Sequence, residues 1–400
     1  MKKRVLWLLV AMMLAITACQ PQASEPTTEN SEAATTEGAA EGTTEAAATG
    51  EVIKIGGLAP LTGDVAVYGN TSMNAVKLAI EEVNANGGIL GKQVEFILYD
   101  EKGDATEAVT AYNRLMDDGV DAVIGSVTSK PTLAVAEVAK GDGILMITPT
   151  GTQQNITEGK ANVFRTCFID PYQGTILAKF AKENLDAKTV AVISNTSDDY
   201  SQGVKNAFIE EAKALGLEVV ADESYAATDT DFRSQLTKMV ALKPDVICMP
   251  DYYKVVSLMA AQAREVGLES TFVGPDGWDG VLATLDASNM DAVENSYFTN
   301  HYSLEDTDPK IADFVKAYRE KYNEDPSAFS ALGYDTVYMI KQSMETAGST
   351  EREAVVDAMK NIEFSGVTGS LRYDENNNPI KAVTIMKIVD GKYTFDSVIE

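Results

Sequence analysis

Residues 51–63 read EVIKIGGLAPLTG, and this stretch opens the alternation of strands and helices that decides the fold. The β-branched run at 52–56 predicts a buried strand, and the Gly, Pro and Thr residues after it predict a loop. A helical period over 73–84, an apolar run over 94–99 and a second helical period over 106–116 follow. The stretch therefore predicts the strand–helix–strand–helix order of a parallel α/β sheet.

The same rhythm returns after residue 170. Helical periods over 173–184, 203–215, 232–241 and 255–266 alternate with apolar runs over 189–194, 218–221 and 245–249. Several of these runs are apolar throughout, as a parallel strand covered by helices on both faces requires. We therefore predict an α/β protein with two doubly wound parallel sheets, whose ligand binds beyond the carboxyl ends of the strands.

The composition excludes several classes of function. The chain has 33 basic and 60 acidic residues and a formal net charge of −27, which argues against a nucleic-acid partner. His301 is the sole histidine, so histidine triads and multi-histidine metal sites are excluded, and we expect it to be a surface or packing residue. Dinucleotide-binding and P-loop motifs are absent. We expect no enzyme activity, no cofactor and no metal.

Cysteine usage indicates a chain without a disulfide framework. Cys167 and Cys248 lie in apolar runs that predict strands, and their spacing favours two buried free thiols over a disulfide.

The first fifty residues predict export and a tether. Basic residues at 2–4 precede an apolar run that is too short to span a bilayer, which indicates a signal peptide over 1–18. The residues before Cys19 resemble the bacterial lipoprotein cleavage box, which implies lipid on Cys19; a plain secretory signal is the alternative. Residues 19–50 are rich in Thr, Glu and Ala and predict a disordered linker.

From about residue 51 to 400 the chain resembles the branched-chain amino-acid (leucine/isoleucine/valine-type) binding proteins of ABC transporters. The matching motifs occur in the same order and at the same spacing: Gly56 to Gly63, Tyr68-Gly69, Asn84 to Ile89, Ile124-Gly125-Ser126 and Arg165-Thr166. The resemblance implies a type I periplasmic-binding fold with two lobes joined by a hinge. It places residues 51–171 and 299–372 in lobe 1 and residues 172–298 and 373–400 in lobe 2.

The resemblance also implies residues that hold the two charges of an amino acid. Ser129 and Thr152 match positions that bind the ligand carboxylate, and the carbonyl of Thr150 matches one that accepts from the ammonium group. Asp276 matches the acidic residue of the other lobe, where the family more typically has Glu. From the residues alone, Ser129 could serve only as an N-cap and Asp276 only as a turn residue.

A further set of residues is predicted to line the pocket or the crossover between lobes. Tyr68, Tyr252 and Phe329 match aromatic positions of the family, although Tyr252 and Phe329 could instead belong to the core. Trp278 is close enough to Asp276 to join them. Asp170 matches an acid at the crossover, where a hinge contact is as reasonable as a ligand contact.

We therefore predict a monomeric, extracytoplasmic solute-binding protein that binds a small amino acid between two lobes by hinge closure. Its partners would be an ABC transporter permease and, through lipid on Cys19, the cell membrane. The alternative is a sensor of amino acids or amides that acts through a partner. The residues do not decide which amino acid is bound.

Overall fold

A computed structural model describes residues 51–399 of the protein. The predicted signal peptide, Cys19 and the predicted linker lie outside these residues. No helix within 51–399 combines the length and the apolar character that crossing a membrane requires.

The first part of the chain forms a five-stranded sheet with helices between its strands. All of its strand pairs are parallel, and the strand order is β2-β1-β3-β4-β5. Its elements are β1 (Ile53–Ala59), α1 (Ala66–Ala85), β2 (Val94–Asp100), α2 (Ala105–Asp118), β3 (Ala122–Ile124), α3 (Ser129–Asp142), β4 (Leu145–Thr148) and β5 (Val163–Arg165).

The second part continues the same alternation in a second sheet. Its elements are α4 (Asp170–Glu183), β6 (Thr189–Asn195), α5 (Asp199–Ala214), β7 (Glu218–Tyr225), α6 (Arg233–Leu242), β8 (Val246–Cys248), α7 (Tyr253–Glu265), β9 (Thr271–Gly274), α8 (Val281–Thr284) and β10 (Tyr297–Asn300). The remaining elements are α9 (Pro309–Tyr322), α10 (Ala328–Ala347), α11 (Arg352–Lys360), β11 (Phe364–Gly366), β12 (Gly369–Tyr373), β13 (Pro379–Ile380), β14 (Val383–Val389) and β15 (Lys392–Ile399).

The second sheet has seven strands in the order β15-β14-β10-β9-β8-β6-β7. The strands β6 to β10 pair in parallel, whereas β14 and β15 add an antiparallel edge. We call the part built on the five-stranded sheet lobe 1 and the part built on the seven-stranded sheet lobe 2. The predicted α/β fold with two parallel-sheet lobes is confirmed, and the antiparallel edge is a feature that the sequence patterns did not predict.

The chain passes between the two sheets at three crossovers. It leaves lobe 1 after β5, returns after β10, where α10 packs on α1, and enters lobe 2 again at β14. The lobe boundaries predicted from the sequence stay a prediction. One contact bears on them: the Asn377 side chain donates to the carbonyls of Lys160 and Val163, so the turn before β13 packs on lobe 1.

Local sequence explains where the elements begin and end. The Asp104 carboxylate accepts from the backbone N–H groups of Thr106 and Glu107 and starts α2, which ends at Gly119 with φ of 72°. In the centres of both sheets, β3 and β8 are three-residue strands buried along their whole length. Cys167 and Cys248 are both buried and unpaired, as predicted.

Candidate functional site

The site is built first from the loops that follow β3 and β4. Ser129 is the first residue of α3, where backbone N–H groups have no partner within the helix. Its Oγ lies 3.5 Å from the Oγ1 of Thr152 and 3.3 Å from the backbone N of Gln153. Thr150 donates its hydroxyl to the carbonyl of Val127 at 2.6 Å, which ties the two loops together. These hydroxyl and N–H groups form a neutral, donor-rich surface that suits an anion.

The side chain of Arg165 holds the loop after β4 in place. Its guanidinium is fully buried and donates to the carbonyls of Gly151, Gln153 and Gln154 at 2.8, 2.9 and 3.2 Å, and to the Thr157 hydroxyl at 3.2 Å. Arg165 therefore holds the loop that carries Thr152 at several points.

Asp170 lies on the crossover between the lobes, next to this donor-rich surface. Its backbone N donates to the carbonyl of Thr152 at 3.0 Å, and its side chain is 1% exposed. Burial raises the pKa of Asp170 well above its usual range. Helix α5 of lobe 2 packs against it at Gly203, where a Cβ would lie 3.0 Å from the Cβ of Asp170.

Asp276 of lobe 2 lies near Asp170 and is held by two side chains, with a third beside it. Its Oδ1 accepts from Gln173 Nε2 at 3.1 Å and from the Tyr200 hydroxyl at 2.9 Å, while Gln173 Oε1 accepts from its backbone N–H. His301 Nε2 lies 3.5 Å from Oδ2. Burial lowers the pKa of His301 to about 4, so the imidazole is neutral at physiological pH and adds no positive charge beside the Asp276 carboxyl group.

Aromatic side chains close the site. Tyr68 of lobe 1 donates its hydroxyl to the carbonyl of Gly277 in lobe 2 and accepts from the backbone N of Tyr253 at 3.2 Å. Its ring stacks on Phe329, with centroids 4.3 Å apart, and meets the edge of Tyr252 at 5.9 Å. Because these contacts join the two lobes, the structure is a closed one.

Trp278 lies in the interior of lobe 2. Its side chain is completely buried, and its indole Nε1 donates to the carbonyl of Met249 at 2.9 Å. The residue adjoins the turn that carries Asp276, and its predicted contact with a ligand stays a prediction.

Three residues at the site were not singled out as site residues from the sequence. Gln173 and Tyr200 fasten Asp276, and His301 stacks on Phe168 at 3.9 Å rather than lying on the surface. Tyr200 belongs to the segment 195–202 beyond the carboxyl end of β6, where sheet topology predicts ligand contacts. Gln173 and His301 gave no such signal, because each meets Asp276 only through the packing of lobe 2.

A cavity of about 510 Å³ lies beside the site and is lined by both lobes. Thr128 and Lys130 contribute to it from lobe 1, and Asp198, Asp251 and Tyr252 from lobe 2. Polar side chains of both lobes therefore line this cavity beside the buried site.

Two α/β lobes that enclose a buried, charged site define a bilobed solute-binding protein. The chain belongs to the periplasmic binding protein family, whose model matches residues 52–392. The members that it resembles are solute-binding proteins rather than enzymes.

Similar proteins are named for branched-chain amino acids. The leucine-, isoleucine-, valine-, threonine- and alanine-binding protein of Pseudomonas aeruginosa is 33% identical over 330 residues, which cover 82% of this chain and 87% of that protein. The crystal structure of the leucine-binding protein LivK of Thermotoga maritima has a TM-score of 0.82 and 35% identity and covers 87% of this chain and 99% of LivK. LivJ of Streptococcus pneumoniae, solved with isoleucine, has a TM-score of 0.81 and 34% identity, with the same coverage.

Proposed function

We propose that this protein is the substrate-binding component of an ABC importer and binds an amino acid, of the branched-chain type, between its lobes. The observation that carries the proposal is the placement of opposite chemistries on opposite sides of one buried site. Donors at Ser129, Thr152 and the start of α3 suit a carboxylate, and Asp276 suits an ammonium group. The names of the relatives support the same class of ligand.

Capture would begin on lobe 1, where Ser129 and Thr152 meet the carboxylate while the cleft is open. Closure would then bring Tyr252 and Asp276 of lobe 2 over the ligand, with Tyr68 and Phe329 covering it from lobe 1. A ligand that contacts both lobes shifts the population towards the closed form. The closed form would dock on the permease and release its cargo there.

The test is isothermal titration of residues 20–400, unfolded and refolded to remove bound ligand, against the common L-amino acids and several short amides. We expect L-leucine, L-isoleucine or L-valine to bind with a Kd of about 1 μM or tighter, as for other specific small-ligand sites. Asp276→Ala and Ser129→Ala should each weaken binding by about tenfold or more, because the first leaves the ammonium group without its carboxylate partner and the second removes one donor to the ligand carboxylate. Asp291→Ala and Ser288→Ala, at exposed positions of lobe 2, are the matched controls. Refolded protein that binds none of these compounds would refute the amino-acid assignment.

We further propose that the mature protein begins at Cys19 and is held at the outer face of the cell membrane by lipid on that residue. The cleavage-box resemblance and the acidic linker support this anchor. Intact mass of protein from the membrane fraction should show a diacylated species that starts at Cys19. Cys19→Ser should move the protein to the soluble extracytoplasmic fraction, and an unmodified mature protein would contradict the anchor.

A further inference from the structure

Asp279 makes a charged contact between the lobes that involves no ligand atom. Its Oδ2 accepts from the backbone N of Ala328, the first residue of α10 in lobe 1, at 2.8 Å. Both residues are buried, with 7% and 1% exposure. Asp279 directly follows the turn that carries Asp276, and Ala328 directly precedes Phe329. The contact therefore links the two surfaces that the proposed ligand would join.

The chemistry of this contact favours a closed cleft. The first N–H groups of a helix have no partner within the helix, and the helix dipole favours an anion at that end. The Oγ of the N-cap residue Ser327 accepts from the backbone N–H of Ser330, and the Asp279 carboxylate accepts from the backbone N–H of Ala328. Burial raises the pKa of Asp279 to about 6, so the carboxyl group is largely ionised at neutral pH. When the lobes separate, this hydrogen bond is lost.

Other contacts between the lobes accompany it at the rim of the cleft. Lys254 of lobe 2 pairs with Asp64 of lobe 1, and the Tyr253 hydroxyl donates to the Asp64 carbonyl at 2.9 Å. The Lys254 and Asp64 side chains are 60% and 85% exposed, so water screens the ion pair and weakens it. Asp279 differs from them because its charged side chain is buried and because its partner, Ala328, directly precedes Phe329.

We propose that Asp279 is a positioning residue for closure, which docks lobe 2 on the N-terminus of α10 and thereby seats Phe329 and Tyr68 over the ligand. The proposal rests on the proposed function for the identity of the ligand, but the contact itself does not need one. Asp279 would slow ligand release without touching the ligand.

Two variants weaken the contact from opposite sides. Asp279→Asn removes the charge but keeps the size of the side chain and one acceptor oxygen, so it tests the charge assistance alone. Ala328→Pro removes the donor at the first helical position, which tolerates proline, and Ser327 already has the extended backbone that precedes proline, with φ of −81° and ψ of 174°. Asp291→Asn makes the same charge change at an exposed position of lobe 2 and is the matched control.

The first readout is the rate of L-leucine dissociation from the full mature chain by stopped flow. We expect each variant to release L-leucine about tenfold faster, with little change in the association rate, because a charge-assisted hydrogen bond of the closed form is lost. The double variant should be no faster than the faster single variant, since both changes remove one interaction. Rates within about twofold of wild type in both single variants, or fully additive effects, would overturn the proposal.

A second readout separates this proposal from the proposed function. In residues 20–400, which lack Cys19, spin labels at Asn113→Cys on α2 and Lys213→Cys on α5 report the distance between the lobes without ligand. The native Cys167 and Cys248 are too deeply buried to be labelled. If the wild type binds no amino acid, the proposed function fails, and the distances between the labels alone then test the role of Asp279 in closure. A ligand-free closed fraction that falls in Asp279→Asn supports the closure role. A closed fraction that is absent, or equal in both proteins, overturns it.

Discussion

At the scale of single residues, Glu101 shows how a buried charge supports the site indirectly. It is fully buried at the end of β2, where Oε1 accepts from the Ser126 hydroxyl at 2.6 Å and Oε2 from the backbone N of Gly103 at 2.7 Å. Ser126 opens the loop that leads to Ser129. Burial raises the pKa of Glu101 to about 7, so its ionised form is disfavoured in the folded protein.

This shift predicts a pH dependence of stability. The folded protein binds the proton of Glu101 more tightly than the unfolded chain, so the contribution of Glu101 to the free energy of unfolding falls as pH rises from about 4.5 to about 7. Glu101→Gln removes this titration. We expect the free energy of unfolding of the variant, relative to wild type, to increase over that range by on the order of 3 kcal/mol.

Urea unfolding at a series of pH values between 4 and 8 measures this difference, and Glu107→Gln, at an exposed position on α2, is the control. A difference between Glu101→Gln and wild type that stays constant across the series would show that Glu101 does not titrate as described.

At the scale of elements, the loop from 151 to 157 depends on Arg165 of β5. Its guanidinium donates hydrogen bonds to four oxygens of this loop, three of them backbone carbonyls. The motif Arg165-Thr166 supported the family resemblance, but the acceptors of the guanidinium become visible only when the loop is folded over the strand.

We expect Arg165→Met to lower the free energy of unfolding by about 3 kcal/mol, because it leaves buried carbonyls without donors. It should also weaken amino-acid binding, since Thr152 would lose its support. Arg372→Met changes an exposed residue of β12 in the same way and should alter stability by less than about 0.5 kcal/mol. Equal stability of the two variants in urea unfolding would refute the role of Arg165.

Helix α1 begins earlier than the sequence pattern predicts. The helical period predicts a helix from residue 73, yet α1 begins at Ala66. Tyr68 therefore projects from a helix. Gly69 permits this start, because a Cβ at that position would collide with the carbonyl of Pro60. The apolar period misses this part of the helix because polar residues follow Tyr68: Asn70 donates to the carbonyl of Ala66, and the Thr71 hydroxyl bonds to that of Ser330 in α10.

At the scale of the whole molecule, the site exists only where two lobes meet. Tyr68 contacts Gly277 and Tyr253, and Asp279 contacts Ala328, across a cleft whose sides are built by segments far apart in the chain. The chain has a net charge of −27, whereas the proposed ligand is a zwitterion with no net charge. The affinity for such a ligand depends on local charge pairing rather than on long-range attraction.

The sequence by itself determined the architecture. Uninterrupted apolar strands and amphipathic helices in strict alternation can bury their surfaces only as parallel sheets covered on both faces, and the ordered motifs from Gly56 to Arg165 indicated the family. Tertiary structure alone decided how Asp276 is held by Gln173 and Tyr200, and how Asp279 meets α10. The first arrangement depends on packing within lobe 2 and the second on packing of one lobe against the other. Both depend on side-chain direction, which neither periodicity nor spacing along one segment encodes.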